Sequence, residues 1–80
     1  MENIKCEEFL SGSFEMNGVN MNLMRVYMVE GGHDIMVEYN SDESGEVFVS
    51  KLNELEESVS EYVLVKLEEV TGIDFRVRCA

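Results

Sequence analysis

The sequence predicts an α+β fold: an antiparallel β meander, one long helix in the C-terminal half and a closing C-terminal strand. Three observations predict it. Asn17-Gly18 separates two segments that alternate apolar and polar residues, and both residues tolerate the positive φ of a two-residue hairpin turn. Leu52, Leu55, Val59, Tyr62, Val63, Leu67 and Val70 gather on one face at 100° per residue. Beyond Gly72, a natural helix stop, Ile73, Phe75, Val77 and Cys79 alternate with Asp74, Arg76 and Arg78, the pattern of a strand with one wet face.

The elements follow in order. Ile4, Cys6, Phe9 and Leu10 fit either a short helix after Asn3 or an edge strand, and both readings stay open. After the Asn17-Gly18 turn, Val19, Met21 and Leu23 alternate with Asn20 and Asn22. The phase slips at Leu23-Met24, which predicts a β-bulge, and Arg25 to Val29 continue as strand. Gly31-Gly32 supplies the next turn, and Ile35, Val37 and Tyr39 alternate with Asp34, Met36 and Glu38. Residues 40–45 read as a loop, and Val47 to Val49 form a short strand or lead directly into the helix. Ser50 and Ser58 are the candidate helix caps, Ser58 having capping-box spacing to Glu61.

Eighty residues form a single domain, 1–80, with an expected radius of gyration of about 12 Å. The 45% hydrophobic content is too high for a disordered acidic tail. The amino terminus lacks the basic and apolar regions of a signal peptide, and no apolar run approaches the ~20 residues of a membrane span. A cytoplasmic protein without a membrane partner is expected. Cys6 and Cys79, at opposite ends of the chain, are expected to be reduced and partly buried.

The central strand is apolar on both sides: Met24, Val26 and Met28 alternate with Tyr27 and Val29. One helix covers only one face of a sheet, so Met24, Val26, Tyr27 and Met28 are candidates for a homodimer contact. The six methionines serve either as core filler or as an adaptable binding surface.

Charge is the strongest functional signal. Seventeen acidic residues against six basic ones give a formal charge of −11. On the helical wheel Glu54, Glu57, Glu61 and Glu68 fall within about 60° of one another, opposite the apolar face, along about 21 Å of helix. Asp42, Glu43 and Glu46 crowd the preceding loop. A merely solvated helix mixes signs, with Lys four residues after Glu, yet Lys66 is the only base between Glu54 and Glu69. Leu64 and Val65 border the acidic stripe, giving the mixture of carboxylates and apolar anchors found at interfaces.

Catalytic and cofactor chemistry find little foothold. His33 is the only histidine, the cysteines lack CxxC spacing, and the segment from Asp42 to Glu46 lacks the ligand spacing of a calcium loop. No enzyme activity and no cofactor are expected. The negative charge opposes direct nucleic-acid binding. It suits instead a basic nucleic-acid-binding protein: duplex DNA displays roughly 18 negative charges over 30 Å, close to the acid count of this body. In size and acidity the chain resembles phage-encoded DNA mimics, which block nucleoid proteins, polymerases, restriction or CRISPR effectors, or repair glycosylases. That resemblance implies an inhibitor that occupies a partner's basic groove. The alternative is an assembly protein that dimerises through its sheet, with the acids serving solubility.

Overall fold

The computed structural model describes residues 4–29 and 34–72. The expected turn at Gly31-Gly32, His33 and the closing strand from Ile73 to Cys79 lie outside the described residues. Within them the chain is α+β, as its periodicities predict. Strands β1 (Ile4–Phe9), β2 (Ser13–Met16), β3 (Val19–Val29), β4 (Ile35–Ser41) and β5 (Val47–Lys51) form one antiparallel sheet, followed by a 3-10 turn (Leu52–Glu54) and helix α1 (Glu57–Thr71).

The ambiguous amino-terminal segment is strand. β1 and β2 lie end to end along the same side of β3, β1 pairing with residues 25–29 and β2 with residues 19–22. Between them the ladder persists through two bonds: the Leu10 N–H donates to the Met24 carbonyl at 3.0 Å and the Leu23 N–H to the Gly12 carbonyl at 2.9 Å. The sheet is thus four strands wide, in the order β1/β2, β3, β4, β5. Asn17 (φ 54°) and Gly18 (φ 79°) make the expected hairpin turn.

The bulge falls where the phase slips. Leu23 faces Tyr39 and Arg25 faces Glu38, so Met24 is the extra residue. Its insertion keeps Leu23 and Val26 on the same face although three positions separate them. That face carries the core: Leu10, Met21, Leu23, Val26, Ile35, Val37 and Tyr39 from the sheet side, with Leu52, Val63 and Leu67 from above. Phe14 meets Tyr39 edge-on at 5.6 Å, and Tyr39 stacks on Phe48 at 5.6 Å. The Tyr39 hydroxyl ends this aromatic row 3.0 Å from the Ser50 Oγ.

The helix starts later than its apolar spacing predicts. Leu52 and Leu55 do pack into or against the core, but they belong to the 3-10 turn and the extended link after it. Leu55 (ψ 157°) and Glu56 (ψ 149°) interrupt the helical backbone. Neither serine caps α1: Ser50 lies in β5, and Ser58 is already inside the helix behind Glu56. Ser60 instead joins the two pieces, its Oγ donating to the Leu52 carbonyl at 2.8 Å. Val59, Val63 and Leu67 are the buried stripe, whereas Val70 is mostly exposed. Gly72 ends the helix as expected, with φ 74° and its N–H on the Glu68 carbonyl at 2.8 Å. The radius of gyration is 12.2 Å.

Candidate interaction surfaces

The acidic side chains come from three places. Glu57, Glu61 and Glu68 project from α1 and are exposed. At spacings of four and eleven residues they share a face turned away from the Val59, Val63 and Leu67 stripe. Glu54 does not extend this stripe, because it belongs to the 3-10 turn. It also acts locally, its carboxylate accepting the Lys51 N–H at 3.1 Å. Leu64, half-buried, packs against the core from the margin of the stripe, and Val65 is 40% exposed.

Asp42, Glu43 and Glu46 occupy the turn between β4 and β5 and are exposed. The turn is well fixed. Ser41 is buried, its Oγ accepts the Ser44 N–H, and its carbonyl accepts the Gly45 N–H at 2.8 Å, with Gly45 in a left-handed conformation (φ 76°). The Asp42 N–H donates to the Asn20 carbonyl at 2.9 Å, and its carboxylate accepts the Asn22 amide at 3.2 Å. These contacts set the turn beside the Asn17-Gly18 hairpin. β5 then carries the chain five residues away, about 16 Å, before Glu54 is reached. The loop and the 3-10 turn therefore stand at opposite ends of the sheet. Among the described residues, no three His, Cys, Asp or Glu side chains converge as metal ligands. No described helix is long and apolar enough to cross a membrane.

Among the described residues Arg25, Lys51 and Lys66 each pair with an acid. Arg25 pairs with Glu7 and, at 3.2 Å, with Glu38, and its guanidinium stacks 4.4 Å from the centre of the Tyr27 ring. The hydrogen bond that Arg25 donates to the Glu7 carboxylate raises the Arg25 pKa above its ordinary value, against the opposing pull of desolvation. Lys51 lies 3.5 Å from Asp34, and Lys66 lies 3.8 Å from Glu69 while reaching over the Tyr62 ring. These ion pairs thus engage acids other than those of the helix stripe and the β4–β5 turn.

The second surface is the face of the sheet opposite the helix. Its side chains follow from the ladder registers. One row runs Glu7, Tyr27, Met36, Lys51, and the next runs Phe9, Arg25, Glu38, Val49. Phe9 is 74% exposed, Val47 53% and Val49 47%. Among the described residues no element packs on this face. Of the four residues the sequence nominates for a dimer contact, Tyr27 lies here and Met24 stands at the bulge. Val26 is buried beneath the helix, and Met28 packs against the same core. The extra residue at Met24 shifts the strand's phase and moves those two side chains to the covered side. The periodicity of Phe9 and Val49 does not say which face each takes, and only the register brings them into one row.

The chain matches no protein-family model, no curated protein and no solved structure.

Proposed function

We propose that this protein is a non-enzymatic inhibitor or regulator that sets its acidic surface against the basic, nucleic-acid-binding site of a partner protein. The observation that carries this reading is the partition of charge. Among the described residues Arg25, Lys51 and Lys66 pair with Glu7, Glu38, Asp34 and Glu69, and Asp42, Glu43, Glu46, Glu54, Glu57, Glu61 and Glu68 are exposed on the helix side and in the β4–β5 turn. The negative field is therefore concentrated on the helix side and at one end of the sheet, where it steers a cationic partner and speeds association. Leu64 and Val65 supply apolar contact beside the carboxylates. The whole action takes place in the cytoplasm and needs no cofactor.

The test is capture of a basic protein on the immobilised chain, with elution by rising salt and separately by duplex DNA. Displacement by both, and loss of capture on the Glu57→Lys/Glu61→Lys variant, is the expected result. Capture that survives this charge reversal with unchanged affinity refutes the reading.

A second reading is favoured by the bare sheet face. Exposure of Phe9, Val47 and Val49 on one side of the sheet is more apolar surface than a solvated face needs. It fits an assembly protein that pairs with its own copy and keeps its acids for solubility.

A further inference from the structure

We infer that two copies pair face to face through the open side of the sheet, about a two-fold axis that runs parallel to the strands between β3 and β4. The inference rests on the second reading above and specifies its geometry. A two-fold axis so placed reverses the order of the strands and preserves position along them, so β1 of one copy lies over β5 of the other and β3 over β4. Each row then meets itself in reverse. In the first row Glu7 faces Lys51 of the second copy, and Tyr27 faces Met36. In the second row Phe9 faces Val49, and Arg25 faces Glu38. Acid meets base and apolar meets apolar at every position of both rows.

Charge makes the second copy the fitting occupant. The ionised groups of the two rows, Glu7 and Glu38 against Arg25 and Lys51, sum to zero on a chain whose formal charge is −11. Asp34 beside Lys51 leaves the patch at −1, so two such chains approach here against far less repulsion than their formal charge implies. Lys51, 3.5 Å from Asp34, has three donor hydrogens and can serve a second carboxylate. The competing operator does worse. An axis across the strands through the second row sets Arg25 on Arg25 and Glu38 on Glu38, and moving it between the rows leaves Arg25 against Tyr27 and Lys51 against Val49. The patch, four strands wide and about five residues long, measures roughly 19 by 17 Å at ordinary strand spacings. At about 320 Å² on each copy it lies below the standard interface size, so a weak, reversible dimer is expected.

The experiment is sedimentation equilibrium over a concentration series, with circular dichroism confirming that each variant is folded. Lys51→Glu alone and Glu7→Lys alone each weaken self-association at least about tenfold, because each creates like-charge pairs at both symmetric contacts. Mixing the two variants restores the dimer, since both contacts of the heterodimer are then attractive. Val49→Asp, on an exposed side chain, weakens the dimer without touching the Glu7–Arg25 pair, which guards against a folding defect in Glu7→Lys. A wild-type chain that stays monomeric at every concentration overturns both the assembly reading and this geometry. A wild-type dimer that is unmoved by Lys51→Glu and Val49→Asp overturns this geometry alone.

Discussion

The Tyr62 hydroxyl occupies the space that a Cβ on Gly12 would need, and it accepts the Ser13 N–H at 3.1 Å. The helix is keyed to the sheet at the point where β1 gives way to β2. Tyr62 is held there by its contact with the Phe14 ring at 6.3 Å and by Lys66 above it, so it has little freedom to retreat. Gly12→Ala is expected to cost about 1–3 kcal/mol by overpacking. Tyr62→Phe removes one acceptor and costs about 1 kcal/mol. Because the two changes concern the same few atoms, they will not add: Gly12→Ala should cost less in the Tyr62→Phe background. Urea unfolding of the double-mutant cycle reads this coupling directly, and strict additivity would contradict the contact.

Glu54 separates from the other acids in what its loss does. Removing its carboxylate by Glu54→Ala leaves the Lys51 N–H without its acceptor and is expected to cost about 1 kcal/mol. Glu43→Lys, in the exposed β4–β5 turn, leaves stability unchanged or raises it slightly by easing the net charge. Chemical denaturation of the two variants side by side distinguishes a structural carboxylate from one that is available to a partner.

Salt should stabilise the fold. The molecule measures 33 × 28 × 21 Å, so at about 10 mM salt, where the Debye length is roughly 30 Å, each acid senses nearly every other. At about 100 mM that length falls to roughly 10 Å and the repulsion becomes local. The melting temperature is expected to rise by several degrees over this range. A flat or falling profile would mean that the ion pairs of Arg25, Lys51 and Lys66 outweigh the excess of acids.

Asn40 is a site for improvement. It stands next to the last residue of β4 with its Oδ1 buried and without a hydrogen-bond partner among the described residues. Asn40→Val removes the desolvated acceptor and supplies a better strand former, for an expected gain of about 1 kcal/mol. Thermal denaturation at fixed protein concentration measures it. A loss of stability would assign Asn40 a bond to a residue outside those described.

Local chemistry made much of this fold readable in the chain. Asn17-Gly18 announces its turn because few other pairs accept two positive φ values, and Gly72 announces the helix end for the same reason. The alternation of Ile35, Val37 and Tyr39 appears unchanged as the buried side of β4. What stayed hidden depends on events that periodicity does not register. Two extended residues, Leu55 and Glu56, split an apolar pattern that continues smoothly across them, so the acidic wheel drawn from Glu54 joined two separate elements. The slip at Leu23-Met24 was visible, yet its effect on Val26 and Met28 emerges only once the partner strand fixes which residue is extra. The open face is the least legible part. Phe9 and Val49 lie forty residues apart in sequence, and their rows exist only through strand pairing.

The Ser13 amide, donating to a side chain of the helix instead of to a neighbouring strand, has a consequence for how the protein can be watched in motion. Ladder amides such as that of Leu10 remain protected as long as β3 is paired, whatever the helix does. The Ser13 proton is sheltered only while Tyr62 is seated. Its exchange with deuterated solvent is therefore a timer for helix undocking, separate from the opening of the sheet beneath it.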